Sequence, residues 1–185
     1  MTLAAYPAEL EHDATLKNGA RVRVRPIRAD DAPRLVSMYD RLSRHTAYQR
    51  FFTVMRRLPP DWATLLATVD YQRRLALVAE PADSGGHEIV AVARYEPTDD
   101  PHVAEVAFVV QDGWQELGLG TMLLGDLLRA ASARGITRFR AWVLADNRRM
   151  LDLLTRFTDV RSRRLDSGVV ELEFAARNPA QAPAS

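Results

Sequence analysis

Apolar and polar positions alternate over Ala14 to Lys17 and again over Arg21 to Ile27, with Asn18-Gly19 between them, which predicts an opening β-hairpin. The spacing then changes. Leu35, Val36, Met38, Tyr39 and Leu42 recur at helical intervals behind Asp30 and Asp31, either of which suits a helix cap. A short helix is expected near Thr46 to Phe52, and Pro59-Pro60-Asp61 opens another over Trp62 to Val69. Arg74 to Ala79 and Glu88 to Tyr95 read as strands joined through Asp83-Ser84-Gly85-Gly86, and Val103 to Val110 adds a third strand to that meander. Next come a glycine-bearing turn, a helix over Thr121 to Arg134, a strand over Arg138 to Leu144 and a helix over Asn147 to Phe157. Val160 to Leu165 and Val169 to Phe174, on either side of Asp166-Ser167-Gly168, close the pattern as a hairpin. Antiparallel strands followed by one strand-helix-strand crossover predict an α/β (α+β) domain around a mixed sheet.

The domain is expected over residues 12–176, with a loose lead-in at 1–11 and a frayed tail from Asn178 to Ser185. A length of 185 residues fits one domain with a core of its own, and 47% apolar with 26% charged residues is an ordinary globular composition. No apolar run approaches the roughly twenty residues of a membrane span, and the N-terminus lacks a secretory pattern, so the expectation is a cytoplasmic protein with no membrane partner. The chain has no cysteine, and His12, His45, His87 and His102 lack ligand spacing, so no metal site is expected. A net charge of +1 supplies no general drive toward nucleic acid. Lys17 is the only lysine, leaving arginine as 24 of the 25 basic residues. Coding bias is the preferred reading of that imbalance, although composition alone does not single it out.

The candidate chemistry centres on Gln115-Glu-Leu-Gly-Leu-Gly120, between a strand and a helix. Glycines there let backbone approach a ligand, and the first helix amides, which lack intrahelical partners, can face an anion. A pyrophosphate suits such a turn, as does simple tight packing. A dinucleotide-binding fingerprint fails, because Leu123 stands where its third glycine belongs and an antiparallel meander precedes the turn. A P-loop fails too, since Asp126 and Leu127 follow Gly125 in place of Lys and Ser or Thr. No G-x-S-x-G nucleophile elbow is present.

The hexapeptide resembles the Q/R-x-x-G-x-G/A signature of the GNAT N-acetyltransferases, in the strand-turn-helix context of that family, and the likeness extends over nearly the whole chain. It implies the GNAT fold: a mixed, mostly antiparallel sheet with a central βαβ acetyl-CoA-binding unit flanked by helices. By that resemblance Phe108, Val109 and Val110 meet the pantetheine arm of acetyl-CoA, and Gln115, Glu116, Leu117, Gly118, Leu119, Gly120 and Thr121 surround its pyrophosphate. Asn147 resembles the asparagine that opens the family's next helix near the pantetheine. Arg25-Pro-Ile-Arg28, Arg41-Leu-Ser43, Tyr48-Gln-Arg-Phe-Phe52, Asp70-Tyr71 and Ala104-Glu-Val-Ala-Phe108 resemble, in that order, the acetyltransferase domain of bacterial protein lysine acetyltransferases that inactivate acetyl-CoA synthetase. Those proteins commonly carry a further regulatory domain; none is expected here, so regulation by that route is not implied. His45 and Tyr48 fall in the helical segment that lines the family's acceptor cleft.

Acyl transfer needs a neutral amine, and a lysine has a pKa of about 10.4, so a base must take its proton. Glu105, a carboxylate within an apolar strand, is that base by the resemblance; the alternation Val103, Glu105, Ala107 also allows an outward-facing surface residue. A strand N–H near Phe108 or Val109 is the expected oxyanion donor by the same resemblance. No tyrosine follows Tyr95, so the protonation of the departing thiolate has no assigned residue. Leu117 stands where relatives often have Arg or Lys, and Arg148 or Arg149 could compensate. The expected function is therefore acetyl-CoA-dependent acetylation of lysines on a protein such as an acyl- or acetyl-CoA synthetase. Its rivals are a small-amine acetyltransferase of the same fold and a non-catalytic acyl-CoA sensor.

Overall fold

The computed structural model describes residues 5–177 and carries one eight-stranded sheet in the order β1-β2-β3-β4-β5-β6-β8-β7. The opening hairpin pairs β1 (His12–Thr15) with β2 (Arg21–Pro26). Gly19, at φ +85°, makes the turn that Asn18-Gly19 predicts, and Asn18 Oδ1 accepts the Ala20 N–H at 3.0 Å. β2 then pairs with β3 (Leu75–Pro81), β3 with β4 (Ala91–Pro97), and β4 with β5 (Val103–Val110), all antiparallel. β5 and β6 (Arg138–Leu144) are parallel, as a helical crossover requires. The hairpin of β7 (Thr158–Asp166) and β8 (Val169–Ala176) closes the sheet through β8 against β6.

Five helices cover the two faces. α1 (Ala32–Asp40), α2 (Arg44–Phe51) and α3 (Pro60–Ala67) lie on one face over Ala76, Val78 and Val92. α4 (Leu119–Ser132) and α5 (Arg148–Phe157) lie on the other, where Leu123, Leu124, Leu127, Leu151 and Leu154 pack against Leu77, Phe139, Leu172 and Phe174. β3 is buried along its whole length, so Leu75 to Ala79 form a continuous apolar run and Glu80, which follows, is buried with an ionic partner.

Boundaries differ from the periodicity where local chemistry intervenes. α2 starts at Arg44, before Thr46, because Ser43 Oγ accepts the Thr46 N–H at 3.1 Å and caps it. α4 starts at Leu119, within the glycine turn, because Gly118 takes φ +90° as its N-cap. Asp31 does not cap α1 by its side chain; it accepts the Arg28 N–H at 2.8 Å and is fully buried. α5 passes into β7 with no intervening loop, so Thr155-Arg-Phe-Thr158 contains no separate turn. Of the lead-in, residues 5–11 are described: Tyr6 donates to Glu11 at 2.6 Å and packs edge-on against Tyr71. The tail from Asn178 lies outside the described residues.

The carboxylate of Asp31 is held in a buried ion network with Arg25 and Glu80. Arg25 Nη1 and Nη2 donate to the two Asp31 oxygens at 2.7 and 2.8 Å, Arg25 Nε donates to Glu80 at 2.9 Å, and Arg34 adds a bond to Asp31 at 2.7 Å. These bonds tie β2, β3 and the entrance of α1 together. Burial raises the Asp31 carboxyl, but the hydrogen bonds from Arg25 and from the Arg28 backbone outweigh it and leave its pKa below the ordinary value. A depressed folded-state pKa contributes stability that is present above the unfolded value and is lost as pH falls through the folded one. Arg25→Met strands two buried carboxylates, and the expected loss at pH 7 is about 3 kcal/mol or more. Urea denaturation should show this loss shrinking on acidification, as Asp31 in the variant takes up a proton.

Candidate active site

β5 and β6 pair over only three residues each, ending at Glu105 opposite Arg140. Beyond that point each strand keeps its outer partner, β4 for β5 and β8 for β6, and the two part. Their separation leaves a wedge in the sheet, and a cavity of about 420 Å³ opens there. Val106 to Val110 line one wall, Ala141 to Val143 the other, and Gln115, Glu116, Gly118, Gly120, Thr121 and Asn147 its end.

Strand alternation fixes which backbone groups enter the wedge. The His102 carbonyl accepts from Arg138 on the β6 side, whereas the Gln111 N–H donates to Val90 on the β4 side. Even-numbered residues of β5 therefore turn their N–H and C=O toward the wedge. Phe108 consequently presents its amide there, and Val109 bonds within the sheet. Val110 is matched internally, its carbonyl accepting from Gln115 Nε2 at 2.9 Å.

The glycine turn supplies the rest. Glu116 and Gly118 both have positive φ, at 63° and 90°, which bends the chain so that α4 begins directly beneath the cavity. A β-carbon added at Gly120 would sit 3.7 Å from Leu153 of α5, an ordinary contact, so the start of α4 lies against α5 with room for no more than a small residue. The unpaired amides at the start of α4, together with the open backbone at Gly118, fit an anionic group at the cavity end. Leu119 is buried in the core and Leu117 packs against it, so these two residues offer backbone to the site and no side chain. Asn147 caps α5, its Oδ1 accepting the Met150 N–H at 3.2 Å. Arg149 donates to Gln115 Oε1 at 2.6 Å and lies 3.5 Å from Glu116 at the turn's mouth.

Glu105 stands at the fork itself, in a row of charges across the sheet. Glu96 of β4 and Arg140 of β6 are its register neighbours, and Glu173 of β8 lies beyond Arg140. The others are paired. Arg74 and Arg94 donate to Glu96 at 2.5 and 2.9 Å, and Arg140 donates to Glu173 at 2.8 Å. Among the described residues Glu105 alone in this row has no hydrogen bond or ion pair, and it is exposed. Although its surface is open, the protein packed around its carboxyl desolvates it and raises its pKa above the ordinary 4.5; Glu96 adds to the rise, while Arg50 and Arg140 oppose it.

α2 meets the cavity with Thr46, Gln49 and Arg50, which share one helical face by their spacing. His45 and Tyr48 are exposed on a different face and do not line the cavity. Arg50 was not singled out by the sequence reading, yet it lines the wedge without an ion pair among the described residues. The i, i+4 relation to Thr46 was the available signal, and it needed Thr46 to be recognised as buried. Burial pulls the Arg50 pKa down, the buried Arg94 guanidinium adds to this, and Glu105 and Glu96 oppose it. The helix is fixed to the glycine turn by Asp112, which accepts from Ser43 N–H, Ser43 Oγ and Thr46 Oγ1 at 2.7 to 2.9 Å. Tyr95 is fully buried and bonded to the Gln72 carbonyl, and no tyrosine lines the cavity among the described residues.

Residues 41–158 match the model of the acetyltransferase (GNAT) family. The chain belongs to that family. It is 31% identical over 139 residues to acetyltransferase PA5475 of Pseudomonas aeruginosa, covering 75% of each protein. It is also 34% identical over 161 residues to acetyltransferase Pat of Mycolicibacterium smegmatis, an alignment covering 85% of this chain and 46% of that longer protein. The solved structure of the GNAT domain of S. lividans PAT superposes with a TM-score of 0.82 at 37% identity, covering 92% of this chain and 99% of that one. Membership makes this protein an acetyltransferase, of a Pat-like kind, and the wedge coincides with the segment that carries the family signature.

The left-handed geometry of Gly118 gives a direct check on the turn. In Gly118→Ala the added methyl must occupy a left-handed conformation, at a cost of about 1 kcal/mol. Urea denaturation should register that loss, and acetyl-CoA titration should register a weaker complex because the amides at the start of α4 are displaced.

Proposed function

We propose that this acetyltransferase moves the acetyl group of acetyl-CoA directly to the side-chain amine of lysines on a protein, with Glu105 as general base. The observation that carries the reading is the unpaired Glu105 carboxylate on the same strand as the wedge-facing Phe108 amide. Along a strand these residues are separated by roughly 10 Å, a span that the Glu105 side chain, an amine and a thioester carbonyl can fill. Glu105 takes the ammonium proton, directly or through one water, and the freed amine attacks the thioester carbon. Charge gathering on the carbonyl oxygen faces the Phe108 N–H, whose position is fixed by the ladder to β4. The C–S bond breaks and coenzyme A leaves as the thiolate, to be protonated by solvent, since no tyrosine borders the cavity among the described residues. Phe108 to Val110 border the pantetheine arm, Asn147 orders the neighbouring wall, and the Gln115 to Thr121 turn receives the diphosphate.

A protein acceptor is favoured by the exposure of Glu105 and of Trp142 on the neighbouring strands β5 and β6. The likeness to the Pat proteins over most of the chain supports the same reading, and an acyl- or acetyl-CoA synthetase is the acceptor class we propose. No helix among the described residues is long and apolar enough to cross a membrane, and we assign the reaction to the cytoplasm, where acetyl-CoA and such synthetases meet.

Because the base works deprotonated and its pKa is raised, kcat/KM should rise with pH through the Glu105 ionisation and fall on its acid side. Glu105→Gln should abolish that dependence and lower kcat about a hundredfold or more, with acetyl-CoA affinity retained. A coenzyme A release assay on a synthetase acceptor and on free polyamines, across pH, tests this. Equal turnover by the variant overturns the base assignment; turnover on polyamines alone overturns the protein acceptor.

A further inference from the structure

Lys17 is the chain's only lysine, and the fold carries it to the glycine turn from the far end of the sequence. Leu16, buried in the core, anchors the turn of the β1–β2 hairpin, and the next residue lies against the start of α4. The Lys17 N–H donates to the Leu117 carbonyl at 3.1 Å. The lysine stem crosses Gly118 on the side where a β-carbon would stand: Cε, Cγ and Cδ come within 3.5, 3.8 and 4.0 Å of that position. Lys17 also lines the wedge cavity together with Gln115, Glu116 and Gly118. Its side chain has no hydrogen bond and no ion pair among the described residues.

The turn has partial positive charge and few full charges. The amides at the start of a helix are equivalent to roughly half an elementary charge, whereas a diphosphate carries about two negative charges. Leu117 turns its side chain into the packed interior and spends its carbonyl on Lys17, so the turn's own sequence contributes no cation. Arg149 is engaged by Gln115 and faces Glu116, an anion that offsets it. An ammonium on a lysine stem laid over Gly118, unpaired among the described residues, brings a full positive charge to the open amides.

We propose that Lys17 is a diphosphate-binding residue of this acetyltransferase, delivering from the first hairpin the charge that the glycine turn lacks. The assignment rests on the acetyl-CoA reading above and deepens it. Gly118 lies beneath the stem at ordinary contact distance, so a side chain larger than a methyl there would compete with the lysine for the same space.

Having a single lysine makes the test direct. The full chain has two kinds of amine, Lys17 and the N-terminus, so modification by an amine-acylating reagent can be followed at each by mass spectrometry. Coenzyme A should slow modification of Lys17 severalfold and leave the N-terminal amine unchanged, while pantetheine, which lacks the diphosphate, should protect neither. In calorimetry Lys17→Met should weaken coenzyme A binding about tenfold and flatten its dependence on salt, with pantetheine affinity unchanged and Lys17→Arg close to wild type. A purely structural lysine would affect both ligands alike. Coenzyme A binding with unprotected Lys17 and unaltered affinity in Lys17→Met overturns the proposal and leaves the acetyl-CoA reading intact. Failure of the unmodified protein to bind coenzyme A or acetyl-CoA overturns both.

Discussion

The separation of β5 from β6 after Glu105 and Arg140 is the constraint on which the site depends. Two parallel strands can part without stranding many backbone groups only if each has a partner on its other side, and here β4 and β8 supply them. What stays unpaired is then confined to the inner edges of the wedge. That small set of free amides and carbonyls becomes the ligand surface, already oriented and rigid because the outer ladders hold it. The crossover helix α4 follows β5 through the glycine turn, which brings its start to the wedge's end and its open N-terminal amides beside the cavity.

The surrounding structure holds this arrangement in register. At one side of the sheet, buried Arg25 joins β2, β3 and the entrance of α1 through Asp31 and Glu80. Near the cavity, Asp112 secures the N-terminus of α2 to the segment before the glycine turn, and Gln115 reaches from that turn to Val110, Thr46 and Arg149. The helix presenting Thr46, Gln49 and Arg50 and the turn that faces an anion are therefore one mechanical unit. Between them, the charged row from Arg74 to Glu173 pairs its cations with Glu96, Glu171 and Glu173, so Glu105 is left with free lone pairs at the fork.

Much of this was legible from the chain. Hairpin turns at Asn18-Gly19 and Asp166-Ser167-Gly168 and the apolar run that opens β3 are local signals, and each element formed near its expected place. The glycine turn also declared itself, because the positive φ at Gly118 is a conformation that favours the absence of a side chain. Glu105 could be picked out, but whether it pointed outward or into a site depended on what lay on either side of β5. The resemblance drew His45 and Tyr48 from the helical segment that lines the family's acceptor cleft, while the face of α2 that meets the cavity belongs to Thr46, Gln49 and Arg50. Helical periodicity defines faces; it does not say which one meets the ligand when both contain polar residues.

Lys17 illustrates the boundary most clearly. Its sequence context is an ordinary hairpin turn, and coding bias was the preferred reading of its rarity in the composition. Nothing local connects residue 17 with residue 118; the bond from the Lys17 N–H to the Leu117 carbonyl and the lysine stem over Gly118 join them across about a hundred residues of sequence. The sequence by itself determined the elements, the strand-turn-helix unit and the class of chemistry, because those rest on periodicity and on backbone freedom within a few residues. Only the tertiary structure decided which strands part, which amides and carboxylate are left without partners, and which distant cation completes the turn, because pairing and charge balance are properties of neighbours that the chain brings together from afar.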